Sequence, residues 1–158
     1  MDSGPAVINR QYWQMWCDGS ALPNPGKMGL GALLISPSGE RFELSTVERG
    51  IGCNNEAELY ALCAALEWAH DKGAKHVEVW SDSDFVVQHL VGSASTTVAR
   101  FIPLIAQART SLESFAEVRL AWLPRHRNGE ADRLSRQALG LPDKPAAAFV
   151  KKNKRRRD

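Results

Sequence analysis

Short apolar runs, separated by glycine, proline and polar breaks, set the layout of the chain. Tyr12 to Cys17 is a run rich in aromatic residues and predicts a first strand. The stretch Asp18-Gly-Ser-Ala-Leu-Pro-Asn-Pro-Gly26 follows, and its glycines and prolines predict that the strand ends in a tight turn, with Asp18 where it stops. Gly29 to Ser36, carrying Ala32-Leu-Leu-Ile35, predicts a buried second strand. After the turn Pro37-Ser-Gly39, Arg41 to Glu48 alternates and predicts a third strand with Phe42, Leu44 and Thr46 on one face. Asn55 to Lys72 has the clearest helical period, with Leu59, Leu62, Cys63, Leu66, Ala69 and His70 on a single stripe. Asn55 can cap its start and Gly73 can end it.

The second half alternates strands and helices. His76 to Trp80 predicts a strand with Val77 and Val79 inward, and Asp84 to Val91 a short helix. Gly92 to Thr97 is small and polar, hence a loop. Val98 to Ser114 predicts a helix interrupted near its start by Pro103, Val118 to Leu123 the last strand, and Gly129 to Leu139 the last helix. The order β-β-β-α-β-α-α-β-α implies an α/β fold. Its five-stranded mixed sheet has three antiparallel strands and then two parallel ones, with helices on both faces. One domain is expected over residues 12–140, preceded by a loose leader (1–11) and followed by a flexible basic tail (141–158).

Composition sharpens this in four ways. At 158 residues and 44% apolar content the chain has enough material for one well-buried core. No apolar run approaches the ~18 residues of a membrane span, and residues 1–10 lack the pattern of a signal peptide. The three cysteines, Cys17, Cys53 and Cys63, form no C-x-x-C pair, which argues against a zinc site or disulfide framework and for a reducing cytoplasm. The net charge of +2 is unevenly placed. Six of 20 basic residues lie in Lys151–Arg157, and the rest of the chain, with 14 basic and 17 acidic residues once Asp158 is also set aside, carries −3. Such a tail suits a polyanion, or serves as a solvated solubility tail.

Four acids stand near element ends: Asp18, Glu58, Asp82 and Asp132. If a crossover helix returns the chain beside the first strand, Asp18 and Asp82 become neighbours with Glu58 above them. Each also has a plain alternative. Asp18 could form a turn. Glu58 could complete a capping box with Asn55. Asp82 could cap the short helix, as Ser81 could, and Asp132 could pair with Arg136 at i, i+4.

Taken together the surrounding residues resemble type 1 ribonuclease H over about residues 12–140. Asp18-Gly-Ser with Asn24-Pro-Gly26 resembles that family's first-strand motif, and Asn54-Asn-Glu-Ala-Glu58-Leu59 its helix-entry motif. Ser81-Asp-Ser83 resembles the fourth-strand motif and Arg125-His-Arg-Asn-Gly-Glu-Ala-Asp132 the C-terminal one. The resemblance implies hydrolysis of the RNA strand of RNA–DNA hybrids, leaving 5′-phosphate and 3′-hydroxyl ends. It implies Asp18, Glu58, Asp82 and Asp132 as catalytic and metal ligands, with Glu56 off the matched position. Two Mg²⁺ ions, or Mn²⁺ in their place, are the implied cofactors, which suits hard oxygen ligands. Asn24, Asn54, Asn55 and Ser83 are the implied contacts to the hybrid, the alternative for the asparagines being service in turns and the helix cap. A cytoplasmic monomer is expected. Rival readings are a non-catalytic hybrid-binding module and a nuclease of the same fold that also cuts double-stranded RNA.

Three departures from the family pattern stand out. Val91 to Thr97, where many members carry a basic protrusion with tryptophans, has no basic residue. Cys53 stands where a hydroxyl residue often holds a DNA-strand phosphate, and a thiol is a weaker donor. The family's mobile histidine usually sits about ten residues before the last aspartate. His126 is six before Asp132, so it either reaches the leaving group or is a plain loop histidine.

Overall fold

The computed structural model describes residues 11–144. The expected leader and basic tail therefore lie outside the described residues, apart from Gln11 and Leu141–Lys144. Five strands, β1 (Tyr12–Leu22), β2 (Gly26–Ile35), β3 (Arg41–Gly52), β4 (His76–Ser81) and β5 (Glu117–Trp122), form one sheet in the order β3-β2-β1-β4-β5. β1, β2 and β3 pair antiparallel, while β4 pairs parallel with both β1 and β5. The helices among the described residues are α1 (Asn54–Asp71), α2 (Asp84–Leu90), α3 (Ile102–Glu113) and α4 (Gly129–Ala138), with a 3₁₀ turn at Arg125–Arg127.

The helices divide between the two faces of the sheet. Strand side chains alternate, so Met15 and Cys17 of β1, Ala32 and Leu34 of β2, and Val77 and Val79 of β4 share one face. Leu59, Leu62 and Leu66 of α1 and Ala108 and Leu112 of α3 close that face into the main core. α4 covers the opposite face over β2, where its backbone lies against Gly31. A Cβ there would come within 2.4 Å of Ser135 N and 2.5 Å of the Ala131 carbonyl, so only glycine admits the helix this closely.

Several boundaries differ from the sequence expectation, each for a physical reason. β1 does not stop at Asp18. Its pairing with β4 ends at Cys17↔Ser81, but its pairing with β2 continues from Asp18↔Gly31 to Leu22↔Lys27. The turn lies beyond, at Pro23–Pro25. α1 starts at Asn54 with Cys53 as its N-cap, so Asn55 is inside the helix and not its cap. Glu56 reaches back to the Cys53 N–H at 2.9 Å, so the capping-box role falls to Glu56 and not to Glu58. His70 is exposed, although the other five residues of the predicted stripe are buried. Pro103 does not interrupt α3 but lies in its first turn, where a missing N–H costs nothing.

Candidate active site

β1 and β4 part after Cys17 and Ser81, and the acids gather in the opening. Asp18 is the first β1 residue beyond the shared ladder, and Asp82 directly follows β4. Glu58 enters from the first turns of α1 because α1 lies almost against the β1 backbone. A Cβ on Gly19 would sit 2.1 Å from the Ala57 carbonyl. That approach lets the Gly19 N–H donate to Glu58 Oε1 at 3.0 Å. One oxygen each from Asp18, Glu58 and Asp82 fall within 4.8 Å of one another.

A set of polar side chains fixes the carboxylates. Ser135 Oγ of α4 donates to Asp18 Oδ2 at 2.9 Å. Asn128, buried at the foot of α4, donates from Nδ2 to Asp82 Oδ2 at 3.2 Å and to the Cys17 carbonyl at 3.0 Å. Asp82 does not cap α2. Ser83 does, accepting the Val86 N–H at 3.1 Å, which leaves the Asp82 carboxylate to the cleft. Asp132 stands apart from the three and pairs with Lys144 at 3.2 Å, in place of the Arg136 partner that spacing allowed.

Burial and crowding hold these acids in a costly state. Asp18 is 6% exposed, and burial, reinforced by the Asp82 charge, pushes its carboxyl up to about 7. Glu58 is raised well above its ordinary value, first by burial and then by Asp18 and Asp82. Burial also raises Asp82, against the Asn128 hydrogen bond and Arg125. Three hard oxygen donors that each resist ionisation fit a bound divalent cation, which supplies the positive charge they lack.

The acids line a cleft of about 470 Å³ together with Ser20, Asn54, Asn55, Ser83, Arg125 and Lys144. Asn24 is not on its wall. Its Oδ1 accepts the Asn54 N–H at 3.0 Å, and Asn54 Oδ1 accepts the Ala21 N–H at 2.8 Å, so both asparagines tie the β1–β2 turn to α1. His126 lies exposed on the 3₁₀ turn and is not among the lining residues, whereas its neighbour Arg125 is. The link from Val91 to Phe101 is irregular, and its one basic residue, Arg100, pairs with Glu56 at 3.3 Å.

Sequence reasoning gives no role to Ser135, Asn128, Arg125 or Lys144, although Arg125 and Asn128 lie within the C-terminal motif. Ser135 follows Asp132 by three positions, which places both on one helical face, and that is the available signal. Lys144 carries none.

A mixed sheet in this order, with acids at the β1–β4 opening, defines a ribonuclease H-type domain. The Reverse transcriptase-like family matches residues 16–138. The ribonuclease H1 of Halobacterium salinarum is 33% identical and superimposes with a TM-score of 0.77, covering 82% of this chain and 98% of that one. LC11 ribonuclease H1, solved in complex with an RNA/DNA hybrid, is 28% identical at a TM-score of 0.73, covering 81% and 96%. A bifunctional protein of Mycobacterium tuberculosis is 33% identical over 133 residues, 83% of this chain and 36% of its own length. The chain thus spans about a third of that relative. It belongs to the type 1 ribonuclease H family within the reverse transcriptase-like group.

Proposed function

We infer that the protein is an endonuclease that hydrolyses the RNA strand of RNA–DNA hybrids. The observation that carries this reading is the convergence of Asp18, Glu58 and Asp82 oxygens within 4.8 Å, in a cleft walled by amides, hydroxyls and basic groups. The hybrid bound by the LC11 relative supports the substrate class.

Asp18, Glu58 and Asp82 would hold the metal, with Asp132 as a further ligand on the cleft wall. Bound divalent cations, Mg²⁺ or Mn²⁺ and two per site, would activate water and stabilise the leaving oxygen, giving 5′-phosphate and 3′-hydroxyl ends. Ser135, Asn128 and the Gly19 N–H keep the carboxylates in place, so they need no rearrangement when substrate arrives. Arg125 faces the same carboxylates and is placed to meet a phosphate. Asn55 and Ser83 on the wall are candidate contacts to sugar hydroxyls, the feature that separates RNA from DNA. Asn24 and Asn54 would act by shaping the wall. His126 would need the 3₁₀ turn to swing inward before it could assist.

No helix among the described residues is long and apolar enough to cross a membrane. All three cysteines are free, which fits a reducing cytoplasm, and a monomer suffices because one chain supplies every acid.

The test offers labelled hybrid, double-stranded RNA, double-stranded DNA and single strands, each with and without Mg²⁺ or Mn²⁺. Metal-dependent cutting of the hybrid's RNA strand alone is expected. Cutting of double-stranded RNA as well would widen the substrate class. Hybrid binding without cutting would favour a binding module.

A further inference from the structure

A helix does not ordinarily meet a downstream residue of its own chain at its first turn, yet α4 does. Asp132 stands in the first turn of α4, and Lys144 lies past the helix end. Gly140, with φ of +76°, adopts the left-handed conformation that turns a chain out of a helix. Two hydrogen bonds then fold the chain back. The Leu141 N–H donates to the Arg136 carbonyl at 2.9 Å, and Arg136 Nη2 donates to the Pro142 carbonyl at 3.1 Å. The strap so formed brings Lys144 Nζ to 3.2 Å from Asp132 Oδ2. Lys144 also lines the acidic cleft and lies near enough to oppose the raised pKa of Asp82.

We propose that Lys144 is a resident counter-cation of the acidic site, holding Asp132 in place and competing with a divalent ion for its carboxylate. This rests on reading the carboxylates as metal ligands. The ammonium at 3.2 Å takes up one lone-pair position of Asp132 Oδ2 and offsets the carboxylate's charge, so an ion that engages Asp132 must displace Lys144 or bind against its positive charge. Displacement is feasible. The side chains are 40% and 22% exposed, and lysine carries its charge on a flexible stem. Asp18, Glu58 and Asp82 form no ion pair among the described residues and feel Arg125 and Lys144 only at longer range, so the direct competition falls on Asp132. Lys144 thus sets how much metal the Asp132 side of the site requires.

The test is calorimetric titration of Mg²⁺ into the full chain without nucleic acid. The proteins are wild type, Lys144→Gln, Asp132→Asn and the double variant, each checked for folding by circular dichroism. An exposed ion pair of this kind predicts about two- to fivefold tighter Mg²⁺ binding in Lys144→Gln. The gain should vanish when Asp132 is already Asn. Gly140→Ala, which strains the strap's turn, should shift affinity in the same direction as Lys144→Gln. Unchanged or weaker binding in Lys144→Gln overturns the proposal. So does a gain that survives in the Asp132→Asn background, which would mark a general field effect. A wild type that binds Mg²⁺ but leaves hybrid intact overturns the functional reading alone, and failure to bind Mg²⁺ overturns both.

Discussion

Replacing Asp18 with asparagine should make the metal-free protein more stable while abolishing its activity. Asp18 titrates at 3.8 when unfolded and at about 7 in the folded cleft, because burial and the Asp82 charge oppose its ionisation. Below pH 3.8 the carboxyl is protonated in both states and the native state bears no penalty. As pH rises from 3.8 to about 7 the unfolded state ionises freely while the buried native carboxyl keeps its proton, so stability falls across that window and the deficit levels off above it. At ~1.4 kcal/mol per pH unit, the cost at about pH 8 is on the order of 2–4 kcal/mol. Asparagine removes that cost but weakens the hydrogen bond from Ser135 Oγ, worth about 1 kcal/mol. The net gain is about 1–3 kcal/mol, which for a chain of this size raises Tm by roughly 2–10 °C. Scanning calorimetry in chelator at about pH 5 and about pH 8 reads this directly, and adding Mg²⁺ should stabilise the wild type far more than the variant. An Asp18→Asn protein that melts below wild type in chelator at the higher pH would refute the reasoning.

Two further outcomes rest on the same geometry and a third on the charge of the sequence. Arg125→Ala should slow hybrid cleavage more than His126→Ala, since Arg125 lines the cleft and His126 is exposed outside it; equal effects in single-turnover assays would count against this. Gly31→Ala should cost about 1–3 kcal/mol in chemical denaturation, because backbone cannot yield as a side-chain tip can, and activity should fall with it since α4 carries Asp132 and Ser135. Deleting residues 151–158 should raise KM for hybrid, leave kcat nearly unchanged, and flatten the salt dependence by about 0.9 for each phosphate the tail no longer neutralises. Matching KM and salt slope in both forms would exclude the tail from binding.

How far the sequence carries the fold depends on whether the cause is local. The α1 stripe is legible because one face repeats Leu59, Leu62, Cys63, Leu66 and Ala69, all buried. β4 is legible as a strand because Val77 and Val79 alternate onto a covered face, whereas its place beside β1 enters the sequence reading only as a condition and is set by the pairing. The course of β1 is not, because Asp18-Gly19 reads locally as a turn and only pairing with β2 keeps it extended. The small residue at Gly19 serves the approach of α1, a tertiary demand. Pro103 misleads because the same residue breaks a helix interior and suits a first turn. Asp18, Glu58 and Asp82 can be expected to meet once β1 and β4 are neighbours. Their supports cannot. Ser135 and Asn128 look like ordinary polar residues of an amphipathic helix and its entry, and the reach of Lys144 to Asp132 depends on a reversal at Gly140 that no spacing encodes.

Glu56 and Glu58 sit two positions apart on α1 and are assigned opposite roles. Glu56 holds the Cys53 N–H and Arg100, while Glu58 faces Asp18 and Asp82. The decisive measurement is the Mg²⁺-dependent single-turnover rate on labelled hybrid for Glu56→Gln beside Glu58→Gln. Glu56→Gln should cut within a few-fold of wild type, since glutamine keeps an acceptor for the cap, and Glu58→Gln should lose several kcal/mol of barrier stabilisation and fall to background. An active Glu58→Gln, or an inactive but folded Glu56→Gln, would contradict the assignment of the three-carboxylate cleft as the catalytic centre.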